Sequence, residues 1–138
     1  MGRMIRGILL TSWLLFAGCS SQTISTIVAP SVETLSADDL RRMVTSEDDY
    51  VFVDVRTSEE IETDGTVEGF LHIPIGEFDE RYAEIPRDKK VIVACARGGR
   101  AGRGAAILKK HGYQNVYSTG MAEYMSKGYK LVYPKLAR

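Results

Sequence analysis

Two short runs of almost wholly apolar residues dominate the hydrophobic pattern of the chain. They lie at residues 50–55 and 91–94, and both are rich in β-branched side chains. Runs of this length and composition are typical of strands that are covered on both faces, as in a parallel sheet. The pattern predicts two further short strands, at residues 32–35 and 115–118.

Helix signals lie between these strands. Two capping boxes, each with a hydroxyl three residues before a carboxylate, pair Ser36 with Asp39 and Thr57 with Glu60. An apolar stripe at spacings of four and three predicts a third helix, formed around Phe78, Tyr82 and Ile85 and ended by Pro86. Helices are also expected at 101–111 and 122–127. The alternation predicts an open α/β domain over residues 32–138, with a mainly parallel central sheet and helices on both faces.

Composition narrows the possible functions. The 138 residues are 44% hydrophobic and 26% charged, which fits one globular domain. Eighteen basic residues balance eighteen acidic ones, so the chain has no net positive charge that would attract nucleic acid. No nucleic-acid partner is therefore expected. With two cysteines and two histidines, the chain is also poor in the clusters that a metal site needs, and no metal is expected. We expect a monomer.

The first residues have the pattern of a targeting segment. Arg3 and Arg6 precede an uncharged stretch, residues 7–18, that is too short to cross a bilayer as a helix. Small residues directly before Cys19 resemble the lipobox of bacterial lipoproteins. The resemblance implies a signal peptide at 1–18 and acylation of Cys19, and Ser20 favours the outer membrane. The alternative is a plain secretory signal in which Cys19 is incidental.

The segment after Cys19 has the composition of a linker. Residues 19–31 are rich in serine and threonine, carry no charge and show no hydrophobic period. We therefore expect a flexible tether there, which would join a lipid anchor in the cell envelope to a domain that faces the periplasm.

Cys95 is the candidate for chemistry. It follows the second apolar run, where open α/β sheets place their ligands, and precedes a glycine-rich loop and a helix. Backbone N–H groups of such a loop and the helix dipole favour an anion, so the thiolate form of Cys95 should be favoured as a nucleophile. The loop residues are Ala96, Arg97, Gly98, Gly99 and Arg100. The alternative is that Cys95 is only a small buried hydrophobe.

The chain resembles the rhodanese homology domain. The resemblance is carried by residues 54–56, by Glu60, by residues 65–74 and by the loop at 95–100, and it spans residues 32–138. It is strongest to the periplasmic stand-alone thiosulfate sulfurtransferases. Thr66 departs from the family pattern, which often has histidine there. Asp54 and Arg56 are expected to be structural, and His72 to be a packing residue rather than a base.

The resemblance implies a two-step reaction without a cofactor. Cys95 would take sulfur from a small anionic donor such as thiosulfate, hold it as a persulfide and pass it to a thiophilic acceptor. The N–H groups of the loop at 96–100 would stabilise the persulfide, and Arg97 and Arg100 would attract the donor.

Other functions of a cysteine loop remain open. A non-catalytic rhodanese-like binding or sensing module of the cell envelope is the main alternative. A cysteine phosphatase or arsenate reductase uses five residues between cysteine and arginine, whereas four separate Cys95 from Arg100. A thiol-disulfide oxidoreductase needs a resolving cysteine, and none remains if Cys19 is acylated.

Overall fold

The computed structural model describes residues 31–137, so the predicted signal peptide, Cys19 and most of the predicted tether lie outside the described residues. The described part is built on one five-stranded sheet. Its strands are β1 (Glu33–Leu35), β2 (Tyr50–Asp54), β3 (Leu71–His72), β4 (Lys90–Cys95) and β5 (Val116–Gly120). They lie in the order β1-β5-β4-β2-β3, and every neighbouring pair is parallel. The predicted α/β class is confirmed, and the mainly parallel sheet is wholly parallel over residues 31–137.

Among residues 31–137, four α-helices connect the strands and a fifth follows β5. They are α1 (Ala37–Thr45), α2 (Ser58–Asp64), α3 (Phe78–Arg81), α4 (Gly99–Lys110) and α5 (Met121–Ser126). Both predicted capping boxes are present, at Ser36 and at Thr57. Among residues 31–137, no helix is long and apolar enough to cross a bilayer.

The predicted third helix is wrong in its extent. Only α3, a single turn, is α-helical, and it lies between two 3-10 turns, Ile75–Glu77 and Tyr82–Glu84. Ile85 is extended (φ −82°, ψ 125°), as the residue before a proline prefers. The apolar stripe nevertheless reaches the core, because the side chains of Phe78 and Ile85 are both buried.

Buried side chains cover the sheet on both faces. One cluster packs α3 and α4 against the sheet and includes Phe78, Ala101, Ala105 and Leu108. The other packs α1 and α5 against the opposite face and includes Leu40, Met121 and Tyr124. The central strand β4 is therefore buried from Val91 to Cys95, and it pairs with β2 as far as Ala94 and with β5 as far as Cys95.

Candidate active site

Cys95 is the last residue of β4 and lies at the carboxyl end of the central strand, as predicted. Its side chain is almost fully buried, at 1% exposure. The chain then turns through 96–98 into α4, and a surface depression of about 430 Å³ opens over the turn. The residues lining this depression are Cys95, Ala96, Arg97, Gly99 and Arg100. The structure thus brings the predicted loop residues together around the thiol.

Two backbone N–H groups converge on the sulfur of Cys95. Gly98 donates to Sγ over 3.0 Å, and Ala101 donates over 3.3 Å. Gly98 adopts the left-handed region (φ 92°), a conformation that glycine allows at low cost. Donors of this kind stabilise negative charge on sulfur, whether it is a thiolate or a persulfide.

Ala101 lies beyond the loop of 96–100 to which the sequence analysis assigned the donors. Its N–H is free to reach the sulfur because the N–H groups in the first turn of a helix have no partner within the helix. The sequence did offer a signal for this donor, because the helix was predicted to begin at residue 101. In the structure α4 begins two residues earlier, at Gly99.

The two arginines of the loop have different roles. Arg97 is exposed, and among residues 31–137 its guanidinium has no hydrogen bond or ion pair. Arg100 instead donates two hydrogen bonds to Glu60, over 2.7 and 2.6 Å. Arg100 thereby ties the first turn of α4 to the first turn of α2. That both guanidinium groups attract the donor stays a prediction, since Arg100 also lines the depression over Cys95.

Glu60 is a residue whose role the sequence analysis did not foresee. Its carboxylate accepts from Arg100 and also from the backbone N–H of Thr57 (2.9 Å), as part of the capping box of α2. The hydrogen bonds from Arg100, above all, lower the pKa of Glu60 to about 2. The same contact raises the pKa of Arg100. Both groups therefore stay charged at neutral pH, and the ion pair braces the cysteine loop.

A buried polar network lies behind this brace. Arg56, fully buried, donates to Asp54 (2.7 Å) and to the carbonyl of Gly65 (2.7 Å). The hydroxyl of Thr66 donates to the same carboxylate over 2.8 Å, which gives this departure from the family pattern a structural role. His72 bonds through Nε2 to the carbonyl of Arg56 (2.8 Å). These contacts agree with the structural roles expected for Asp54, Arg56 and His72.

Gly120 fixes the cysteine loop from the side of β5. A Cβ atom at this position would lie 3.1 Å from the carbonyl carbon of Arg97 and 3.2 Å from the nitrogen of Gly98. Beside it, the N–H of Ala122 donates to the carbonyl of Ala96 over 3.0 Å. The backbone that carries the Gly98 donor is thus held by close backbone contacts that involve no charged side chain.

The Glu60 brace gives a testable pH dependence. Because the pKa of Glu60 is lower in the folded chain than the ordinary 4.5, its contribution to stability is present above 4.5 and is lost as the pH falls towards about 2. Glu60→Gln should lower the free energy of unfolding by about 1–3 kcal/mol at neutral pH. The difference in the free energy of unfolding between Glu60→Gln and wild type should become smaller as the pH falls below 4.5, the ordinary pKa of Glu60. Denaturant unfolding at a series of pH values measures this.

Glu84→Gln is the matched control. Glu84 also pairs with an arginine, Arg81, but its side chain is 46% exposed and lies away from the cysteine loop. Glu84→Gln should lower the free energy of unfolding by less than Glu60→Gln does, because exposed ion pairs contribute little to stability. Equal stability of Glu60→Gln and wild type at neutral pH would contradict a bracing role for Glu60.

Comparison with known proteins gives a match to one family model and similarity to several relatives. The family model described as "Rhodanese-like domain" matches residues 36–127. The putative sulfur carrier protein YrkF of Bacillus subtilis is 30% identical over 101 residues, which cover 72% of this chain and 54% of YrkF. The chain therefore spans about half the length of that relative.

Two further similarities cover most of the other protein. The mitochondrial thiosulfate sulfurtransferase RDL2 of Saccharomyces cerevisiae is 30% identical over 125 residues, which are 80% of this chain and 83% of RDL2. The crystal structure of a rhodanese-related protein from Thermoplasma volcanium superposes with a TM-score of 0.67 at 29% identity, over 74% of this chain and 99% of that one.

Proposed function

Since this chain belongs to the rhodanese-like domain family, we propose that it is a sulfurtransferase that carries a sulfane sulfur atom on Cys95 and takes it from thiosulfate. One observation carries the proposal. The backbone N–H groups of Gly98 and Ala101 both donate to the Cys95 sulfur, at the floor of an open depression. This arrangement favours an anionic sulfur that a small ligand can reach.

The reaction has two steps. In the first, the Cys95 thiolate attacks the outer sulfur of thiosulfate, the S–S bond of the donor breaks, and sulfite leaves with the electron pair. In the second, a thiophilic acceptor attacks the outer sulfur of the persulfide and restores the thiolate. No cofactor is required, because the persulfide itself stores the transferred atom.

Arg97 supports thiosulfate as the donor. Its exposed guanidinium lines the depression over Cys95 and has no partner among residues 31–137, so it is available to a dianion. The relative RDL2 bears the name of a thiosulfate sulfurtransferase.

Steady-state kinetics with thiosulfate and cyanide tests this function. Formation of thiocyanate should follow a ping-pong pattern, with parallel double-reciprocal lines, since sulfite leaves before the acceptor binds. A protein that binds thiosulfate but transfers its sulfur neither to cyanide nor to any other thiophile would be the non-catalytic module instead.

We further propose that the chain is lipid-anchored through Cys19 in the bacterial cell envelope and faces the periplasm. The support is the sequence of residues 1–19, which lie outside the described residues. The full chain, expressed in a Gram-negative host, should fractionate with membranes, preferably the outer membrane, and partition into detergent. Cys19→Ala should fail to do so. Recovery of wild type as an unacylated protein in the soluble periplasmic fraction would contradict the anchor.

A further inference from the structure

A second depression adjoins the one over Cys95. It has a volume of about 330 Å³ and lies between the end of β1, the cysteine loop and the start of α5. The two depressions share Ala96 and Arg97. Besides these, the side chains at its walls are Thr34, Leu35, Ala122 and Glu123. A ligand in the second depression would therefore lie next to the loop that carries the reacting sulfur.

The two charged residues of this second depression have opposite signs. Arg97 is exposed and without a partner among residues 31–137. Glu123 is also exposed, and its nearest cation is Lys127, whose Nζ lies 3.2 Å from Glu123 and only 2.7 Å from Asp38. Lys127 is thus shared between two carboxylates and leaves acceptor capacity on Glu123. The remaining wall contributes small or uncharged side chains.

We propose that the second depression is the acceptor subsite, and that its ligand is a small zwitterionic thiol of the amino-acid type. The carboxylate of the ligand would pair with Arg97 and its ammonium group with Glu123. This inference rests on the proposed function, because an acceptor is needed only if Cys95 carries sulfur. It adds a binding site and a chemical class of acceptor.

Arg97 can serve both the donor and the acceptor because the two bind one after the other. The donor is a dianion and needs Arg97 first, but sulfite leaves before the acceptor binds. The same guanidinium is then free for the acceptor's carboxylate. The acceptor thiolate attacks the outer sulfur of the Cys95 persulfide, the bond between the two sulfur atoms of the persulfide breaks, and the Cys95 thiolate leaves with the electron pair. The product is the persulfide of the acceptor, and no oxidant or reductant is consumed.

Two variants test the subsite on the full chain. Ala122→Phe fills the depression from an exposed position, and Glu123→Gln removes the carboxylate. Their matched controls are Ala106→Phe, an exposed position on α4, and Glu68→Gln, an exposed carboxylate paired with Lys130. Each protein is loaded with sulfur from thiosulfate, freed of excess donor, and discharged by cyanide or by a thiol.

Four thiols separate the two charges of the ligand. L-cysteine carries both groups, 3-mercaptopropionate the carboxylate, cysteamine the ammonium group, and 2-mercaptoethanol neither. Ratios of variant to wild type are compared for each thiol, so that differences in intrinsic thiol reactivity cancel.

We expect Glu123→Gln to raise the half-saturating concentration about 5-fold for L-cysteine and cysteamine, and to leave the two thiols without an ammonium group unchanged. Ala122→Phe should raise the half-saturating concentration of L-cysteine by at least the same factor. Loading by thiosulfate and discharge by cyanide should be as in wild type, and both controls should be unaffected.

Unchanged L-cysteine discharge in both variants would overturn the subsite, while normal cyanide discharge would leave the sulfurtransferase function standing. An equal loss with cyanide and with all four thiols would also overturn it, because the substitutions would then be acting on the loop. Absence of cyanide discharge in wild type would instead contradict the proposed function itself.

Discussion

Cys95→Ser is expected to reduce sulfur transfer from thiosulfate to cyanide by more than about 10³-fold. A serine hydroxyl is hardly ionised at neutral pH and forms no persulfide, so the first step of the reaction is lost. Because Cys95 already accepts hydrogen bonds from Gly98 and Ala101, a serine oxygen meets donors in the same place. The midpoint of thermal unfolding should therefore change little. Thiocyanate formation and thermal unfolding, measured on the same preparation, check both statements.

Two results for Cys95→Ser would contradict this prediction. Activity of Cys95→Ser equal to that of wild type would remove Cys95 from the chemistry. Since Cys95 is the sole cysteine among residues 31–137, it would also leave those residues without a thiol to carry the sulfur. A large fall in the unfolding midpoint would show instead that the buried thiol mainly packs the core.

Gly98→Val is expected to lower kcat by about 10²-fold and to leave the KM for thiosulfate nearly unchanged. Gly98 has a φ of 92°, which a β-branched residue adopts only under strain. The loop should relieve the strain by rotating the N–H of residue 98 away from the sulfur, and loss of one such donor costs about 10²–10³-fold in rate. Arg97, the residue proposed to attract the donor, is not altered.

Gly98→Asn is the control for this prediction. A Cβ atom at position 98 would have no neighbour within 4 Å, so the effect of valine would come from the backbone and not from a clash. Asparagine tolerates the left-handed region better than valine, so it should retain much more of the activity. Equal kcat in Gly98→Val and wild type would mean that the Gly98 N–H does not stabilise the reacting sulfur.

The main features of the fold could be predicted from local pattern. The apolar runs at β2 and β4 and the capping boxes at Ser36 and Thr57 are signals contained within a few residues. Strand β3 has two residues, too few for a hydrophobic period, and it exists because it pairs with β2. The segment before Pro86 shows the helical spacing but is interrupted by the extended conformation that precedes proline.

Some features of the candidate site could likewise be predicted from residues that are adjacent in sequence, and others could not. Cys95 and its loop could be found because a strand end, a cysteine and two glycines are adjacent in sequence. The partner of Arg100 could not, since Glu60 is forty residues earlier and meets Arg100 only once the fold brings the first turns of α2 and α4 to the carboxyl ends of β2 and β4. The close approach of Gly120 to the backbone of Arg97 depends likewise on the neighbouring of β4 and β5.

Mass spectrometry of the protein after treatment with thiosulfate tests the central claim most directly. We predict that the wild-type chain gains the mass of one sulfur atom, that fragmentation places it on Cys95, and that cyanide removes it. Cys95→Ser treated in the same way should gain nothing. A wild-type chain that remains unmodified by thiosulfate, or that carries the added sulfur equally in Cys95→Ser, would contradict a persulfide on Cys95.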